Sequence, residues 1–142
     1  MRVVSNFDNV DLLLEKTQQD FHREWRYTPA AISMADQDLY SGLIRLHVLY
    51  HASRGPIFGL GMIRELRHHG YRVGPGTLYP ILHRLELKRY LRSRSMRVEG
   101  KRRRVYAITP KGKVELRNAT AKVRELYDEM VEGHGEPSPA HP

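Results

Sequence analysis

The sequence predicts a mainly α fold with a small two-stranded wing (α+β): a winged helix-turn-helix with dimerisation helices at its N- and C-terminal ends. Apolar residues recur at helical spacing in several segments of the 142-residue chain, a length that suits about one domain. Two extended, arginine-rich runs follow three predicted helices and flank a turn that contains glycine. Positive charge is concentrated in the same central part of the chain.

The formal net charge of +8 is unevenly distributed along the chain. Residues 1–38 carry 4 basic and 7 acidic side chains, and residues 114–142 carry 3 and 6, so each end has a net charge of −3. Residues 39–113 carry 17 basic and 3 acidic side chains, a net charge of +14. A basic block of this density predicts a polyanionic partner.

Several classes of protein are excluded at this stage. The chain has no cysteine, which excludes disulfides, thiolate zinc sites and a cysteine nucleophile, and which fits a cytoplasmic, nucleoid-associated protein. It has no apolar run near the ~20 residues that a membrane span needs, and its start lacks the apolar segment of a signal peptide. Phosphate-loop, H-E-x-x-H and G-x-S-x-G motifs are missing as well. We therefore expect no membrane partner, no catalytic residue and no cofactor.

We interpret residues 1–35 as an N-terminal extension with an amphipathic helix over residues 8–27. Asp8 is a suitable N-cap for this helix. A lone tryptophan on an apolar helix face is more often a core or interface residue than a ligand platform. The residues expected at a dimer interface in this extension are Leu13, Leu14, Phe21 and Trp25.

Residues 36–109 are predicted to form the winged-helix domain, whose first two helices cover about residues 35–52 and 59–69. The apolar stripe of the first helix is expected to consist of Leu39, Leu43, Leu46 and either Leu49 or Tyr50. Gly70 is expected to end the second helix as a left-handed cap.

The third helix of this domain is predicted to start at Pro75, because proline at the first helical position loses no backbone hydrogen bond. Pro80 lies further inside the helix and removes one such bond, so we expect a bent or 3₁₀-like first turn. The core face of the helix is expected to consist of Leu78, Ile81, Leu82 and Leu85.

Two strands are predicted at residues 91–98 and 103–108, with a hairpin tip at residues 99–102.

Thr109 and Pro110 then provide an N-cap and a first helical residue for a last helix, over residues 110–132. Heptad spacing in this helix predicts a dimer seam. The seam residues are Leu116, Val123, Leu126, Tyr127 and Met130. The tail, residues 133–142, is rich in glycine and proline and is expected to be mobile.

This order of elements suits double-stranded DNA, because the major groove accepts one helix and exposes a readable pattern of base edges. Residues 84–104 hold ten basic side chains against two acidic ones, as a phosphate-binding surface requires. The predicted DNA-binding residues are Gly76, Thr77, Tyr79, Pro80, His83, Arg84, Lys88, Arg89, Arg92, Arg94, Arg97, Lys101, Arg102, Arg103 and Arg104.

Three motifs resemble the PadR family of bacterial transcriptional regulators. Residues 74–86 (GPGTLYPILHRLE) are similar to its signature, residues 58–66 to its preceding helix, and residues 102–112 to its second wing strand and the entry to its dimerisation helix. The resemblance implies a homodimeric repressor that binds a pseudo-palindromic operator. It also accounts for the unusual Pro80, which belongs to the family motif.

Two features depart from the usual family pattern. Arg89 occupies a position where the family usually has glycine, so either a left-handed turn here costs about 1 kcal/mol or the turn differs. The chain is also of the short type and carries the acidic extension at residues 1–35. This combination resembles regulators that extend the period of the cyanobacterial circadian clock, which implies repression of a clock component's promoter. The sequence assigns no small-molecule effector.

Two alternatives use the same basic charge. A basic RNA-binding or ribosome-associated protein would stack bases on aromatic side chains, but Tyr79, Tyr90 and Tyr106 do not form a tight platform. The wing of an interaction module would instead bind an acidic protein. A metal site at His47 and His51 is disfavoured, because two ligands without a third nearby make a weak site. We therefore expect no metal.

Overall fold

The computed structural model describes residues 37–133. In chain order the elements are α1 (Gln37–Arg54), β1 (Ile57–Phe58), α2 (Gly59–His68), α3 (Pro75–Leu87), β2 (Leu91–Val98), β3 (Lys101–Ile108) and α4 (Pro110–Tyr127), which continues into a π-helical turn (Asp128–Glu132). The predicted mainly α fold with a small β-wing is confirmed. The predicted extension, with Leu13, Leu14, Phe21 and Trp25, lies outside the described residues, as does the tail beyond Gly133.

The sheet is antiparallel and has three strands in the order β1-β3-β2. The sequence predicted only the two wing strands. β1 contributes just two residue pairs, Ile57 with Tyr106 and Phe58 with Val105. A strand of two residues is too short to show the alternation by which strands are predicted, so this pairing becomes visible only in the folded chain.

The hairpin tip is shorter than the predicted four residues. Val98 pairs directly with Lys101, so only Glu99 and Gly100 form the turn. Both have positive φ angles, 51° and 74°, as in the two-residue turns whose twist matches that of the strands. Lys101 and Arg102 therefore belong to β3, and their side chains lie on opposite faces of the sheet.

One main core holds α1, α2 and α3 against the base of the sheet. The predicted core residues of α3 are all buried, namely Leu78, Ile81, Leu82 and Leu85. Leu91, Tyr106 and Ile108 cover the sheet side of this core. A smaller cluster on the other side of the sheet contains Phe58, Val98, Val105 and Ala107. The sheet is thus covered on both faces near its base, and α3 is fixed to it.

Of the predicted apolar stripe of α1, Leu49 is in the core and Leu46 is half-buried, but Leu39 and Leu43 are exposed, so the prediction is mostly wrong. The residues of α1 that enter the core are Ile44, Val48, Leu49 and Ala52. Leu39 is 69% exposed and Tyr50 is 51% exposed, and Leu43 is also exposed. Because α1 is apolar on two faces, helical periodicity alone did not show which face meets the rest of the domain.

Of the two alternatives at Arg89, the structure shows the left-handed turn at the end of α3, with a φ angle of 62°. The backbone N–H of Tyr90 donates to Leu85 O at 3.0 Å, and that of Arg89 donates to Glu86 O at 2.9 Å. This pair of bonds is the Schellman arrangement, in which glycine is usual. Arg89 adopts it despite its side chain, so the turn of the family pattern is retained.

The start of α4 is capped as predicted. Thr109 Oγ1 accepts a hydrogen bond from Gly112 N at 3.0 Å and donates one to Arg89 O at 2.6 Å. A Cβ atom on Gly112 would collide with the backbone of Tyr90. The entry to α4 is therefore packed directly on the turn that ends α3.

The first turn of α3 shows the expected 3₁₀ character in one bond. Thr77 N donates to Gly74 O at 3.1 Å, beside the α-type bond from Leu78 N to the same oxygen at 3.0 Å.

Among the described helices, none is long and apolar enough to span a membrane.

Candidate nucleic-acid interface

The outer face of α3 brings together the side chains predicted to contact DNA. With its leucines and isoleucine turned to the core, α3 exposes Tyr79, Pro80, His83 and Arg84, and Thr77 is half-buried beside them. Gly76 is exposed at the N-terminal end, and Lys88 and Arg89 are exposed at the C-terminal end. This face is mostly polar, contains two small residues near its start and is wide enough to meet base edges in a groove.

The Tyr79 ring lies across the first turn of α2. A Cβ atom placed on Gly59 would lie 2.7 Å from both Cζ and Oη of Tyr79. The ring is nevertheless 47% exposed, so it packs on α2 with one side and meets solvent with the other. Gly59 therefore leaves the space that sets the position of Tyr79, a relationship that the sequence does not show.

The two faces of the wing carry different arginines. Strand residues alternate between faces, and cross-strand partners share a face. Ser95 pairs with Arg104 and Arg97 with Arg102, so these residues lie on one face together with Ser93, the partner of Tyr106. We call Arg97, Arg102 and Arg104 the helix-side arginines.

Hydrogen bonds connect one of the helix-side arginines, Arg104, to α3. Arg102 Nε donates to Ser95 Oγ at 2.9 Å, and Arg104 Nη1 donates to Ser93 Oγ at 3.4 Å. Ser93 Oγ in turn donates to Glu86 Oε1 of α3 at 2.7 Å. The helix-side arginines therefore lie on the same side of the sheet as α3.

Tyr106 lies at the same junction. Burial raises the pKa of its phenol, and the carboxylate of Glu86 raises that pKa further, whereas the guanidinium of Arg104 lowers it. Tyr79 is also close enough to act on this pKa. Polar interactions thus connect the base of the wing to the C-terminal part of α3.

The other face of the wing carries the remaining predicted basic residues, namely Arg92, Arg94, Lys101 and Arg103. Arg103 is half-buried, and its guanidinium carbon lies 5.1 Å from the centre of the Phe58 ring. Its Nε is buried and has no hydrogen-bond partner among residues 37–133. The sequence grouped the three consecutive arginines 102–104 together, but the structure places Arg103 on the opposite face from its two neighbours.

A cleft of about 260 Å³ lies between α1 and α3. One of the residues that line it is basic and was not among the predicted DNA-binding residues. Arg45 lines this cleft together with Thr77 and Arg84 of α3. Arg45 Nη1 donates to Ser41 Oγ at 3.3 Å, one turn earlier in α1. A single arginine in a helix outside the basic run is not a specific signal, so only its position beside α3 identifies it.

The residues predicted for the seam of α4 divide into two groups. Leu116 is partly buried and packs against the main core of its own chain. The others remain exposed: Val123, Leu126, Tyr127 and Met130. Met130 is 74% exposed. Beyond its first turns, α4 therefore presents an apolar face that residues 37–133 leave uncovered.

Comparison with known proteins gives a consistent result. The transcriptional regulator PadR-like family matches residues 48–118. Transcriptional regulator Rv3488 of Mycobacterium tuberculosis is 46% identical over 90 residues, which are 63% of this chain and 84% of that protein. A PadR family transcriptional regulator from Eggerthella lenta has a TM-score of 0.60 at 26% identity, covering 82% of this chain and 95% of that one. A PadR-like transcription factor from Bacteroides fragilis has a TM-score of 0.59 at 25% identity, covering 71% and 98%.

Proposed function

Because the chain belongs to the PadR-like family of transcriptional regulators, we propose that it is a homodimeric repressor that binds a pseudo-palindromic site in double-stranded DNA. The matched relatives are described as transcriptional regulators and not as enzymes, in agreement with the lack of catalytic motifs. They also favour DNA over the RNA-binding or ribosome-associated alternative. Such a regulator would act on the nucleoid in the cytoplasm.

One observation carries the DNA-binding part of the proposal: the outer face of α3 and the helix-side arginines lie on one side of the molecule. The hydrogen-bonded series from Arg104 through Ser93 to Glu86 connects them. Tyr79 and His83 are then placed to contact base edges in the major groove. Arg102 and Arg104 are placed to bind phosphates beside it.

The homodimer part rests on two apolar faces that the described part of the chain does not cover. The exposed apolar residues of α4 are joined by those of α1, which include Leu39, Leu43 and Tyr50. α1 packs against α4 within the chain, so the two faces are neighbours. A second copy of this chain is the occupant we propose, because it would cover both faces and would place the two α3 helices in successive major grooves about 34 Å apart.

Selection of bound sequences from a pool of random duplexes tests the proposal directly. We expect an enriched motif with two inverted half-sites whose centres are about 10 base pairs apart. The same protein should bind a single-stranded RNA pool weakly and without enrichment. A pool that yields no motif, or a stronger interaction with single-stranded RNA, would refute sequence-specific duplex binding.

The circadian part of the proposal has a separate basis. It rests on the acidic extension, residues 1–35, which lies outside the described residues. Mapping of the protein's binding sites on its own genome should find a site at the promoter of a clock component. Sites that are confined to unrelated promoters would remove the clock role and leave the repressor proposal intact.

A further inference from the structure

Three histidines from two helices meet on the side of α1 that faces α2. His47 and His51 lie one turn apart on α1, and His69 follows the last turn of α2. One potential ligand atom from each of them lies within 4.8 Å of the other two. The ring centres of His47 and His69 are 4.6 Å apart. None of the three belongs to the surfaces assigned above to DNA or to a second subunit.

A buried carboxyl group completes this cluster. Glu65 is only 5% exposed, although glutamate is rarely buried without a partner. Its Oε1 lies 3.2 Å from Nε2 of His51 and 3.2 Å from Nε2 of His69. The carboxyl group of Glu65 therefore contacts two of the three imidazoles, which lie within 4.8 Å of one another.

Burial determines the charge of these groups. It acts together with the nearby His47 to lower the pKa of His51 and of His69 to about 4, and it also lowers the pKa of His47. It raises the pKa of Glu65 to about 7. These shifts belong to the metal-free side chains, and the ligand site is indicated by the closeness of the imidazole nitrogens.

We propose that His47, His51, His69 and Glu65 bind one divalent transition-metal ion of the borderline class, such as Zn²⁺. Three imidazole nitrogens and one carboxylate oxygen form a ligand set suited to Zn²⁺, Co²⁺ or Ni²⁺, whereas Ca²⁺ and Mg²⁺ require mainly oxygen ligands. Ligand nitrogens in a tetrahedral site lie about 3.3 Å apart for bonds of about 2.0 Å. The potential ligand atoms of the three histidines lie within 4.8 Å of one another, so the imidazoles would have to move closer together on binding.

The site is accessible from solvent, and it lies where a bound ion would link α1 to the end of α2. The side chains of His51 and His69 are 18% and 22% exposed, so an ion can enter from solvent. An ion bound there would join α1 to the end of α2, next to Gly70, where the chain turns towards α3. Binding of the metal should therefore stabilise the folded domain against unfolding.

Titration of the full chain with metal ions, after treatment with a chelator, tests this proposal. Co²⁺ should bind with one ion per chain and give the absorption spectrum of a tetrahedral site, and Zn²⁺ should displace it. Zn²⁺ should also raise the melting temperature. The variants His51→Gln and His69→Gln should each weaken binding about tenfold or more, because each removes one ligand.

His68→Gln is the matched control, since His68 is an exposed histidine at the end of α2, directly before His69. It should bind Co²⁺ like the unaltered chain. Circular dichroism of the metal-free variants shows whether each one folds.

Glu65→Gln keeps the shape of the side chain but removes its charge. We expect this variant to bind the metal ion about tenfold more weakly. The proposal is overturned if the unaltered chain binds neither ion. It is equally overturned if His69→Gln retains full affinity or if His68→Gln loses as much as His69→Gln.

Discussion

The guanidinium carbon of Arg103 lies 5.1 Å from the centre of the Phe58 ring, and this contact connects the wing to β1 on the side of the sheet away from α3. Arg102 and Arg104, its direct neighbours in sequence, lie on the opposite face with Ser95 and Ser93. Three consecutive arginines therefore have two different surroundings. One contributes to packing, and two are exposed beside the candidate DNA-binding helix.

Replacing Arg103 with alanine should mainly affect stability. The variant loses a partly desolvated cation–π contact and the packing of a long side chain, and we expect it to lower the free energy of unfolding by about 1 kcal/mol. Denaturant unfolding of the two proteins measures the difference. Arg102→Ala is the control and should change stability by less than half as much. An equal loss in both variants would contradict the division between the two faces.

Replacing Arg102 and Arg104 together with alanine should weaken binding to every duplex, because phosphate contacts carry no sequence information. The slope of log binding constant against log salt concentration should fall by roughly one for each lost contact. Fluorescence anisotropy on specific and random duplexes at several salt concentrations measures both effects. Arg117→Ala removes an exposed arginine from α4 and should leave the slope unchanged. A slope that is unchanged in the double variant would exclude these two arginines as phosphate ligands.

Gly59→Ala should alter DNA recognition without a large loss of stability. The new methyl group would overlap the end of the Tyr79 ring, which is exposed and able to move aside. We expect weaker binding to the selected site, by about 1 kcal/mol, with little change on random duplexes. Gly76→Ala places a methyl group in open space and serves as the comparison for stability. If Gly59→Ala leaves binding to the selected site unchanged, the position of Tyr79 has no role in recognition.

Leu126→Glu should prevent dimer formation. Leu126 is exposed on the apolar face of α4, and a carboxylate there would be desolvated in the proposed interface. Sedimentation at micromolar concentration should give a dimer for the unaltered chain and a monomer for the variant. Ala121→Glu introduces the same charge at another exposed position of α4 and should remain dimeric. If the unaltered chain is itself a monomer, the homodimer is wrong.

The metal-free protein should become less stable as the pH falls from 6.5 towards 4.5. The native pKa of His51 and of His69 is about 4, below the ordinary value of 6.5, so the unfolded chain binds more protons in this range and is favoured. Glu65, whose native pKa is about 7, has the opposite effect, because its native form binds the additional proton as the pH falls. Two histidines outweigh one carboxyl group, and His47 adds to them because burial also lowers its pKa.

Thermal unfolding at several pH values in the presence of a chelator measures this dependence. We expect a net loss on the order of 1 kcal/mol or more at the acidic end. Glu65→Gln removes the opposing contribution, so its stability should fall more steeply than that of the unaltered chain. A shallower fall in this variant would show that the assigned direction of the Glu65 pKa is wrong.

The features that were correctly predicted from the sequence depend on residues close together in the chain. Thr109 and Pro110 start α4, and Gly70 ends α2 with a positive φ angle of 89°. The strand at Leu91–Val98 and the core face of α3 follow from alternation and helical spacing. Capping bonds span a few residues, and a side chain's face follows from its position in one element. Local physical chemistry is therefore sufficient for these features, and the family signature rests on the same residues.

Contacts between distant segments were decided only by the tertiary structure. The core face of α1 was wrongly predicted because both of its faces are apolar, and packing buried Ile44 and left Leu39 exposed. His47 and His51 looked like an incomplete pair until packing brought His69 beside His47 and Glu65 beside His51. The composition of such a cluster depends on the relative placement of two helices, and no spacing within either helix specifies that placement. The sequence by itself thus determined the class of the protein and its candidate DNA-binding elements, whereas the three-dimensional packing determined which side chains share a site.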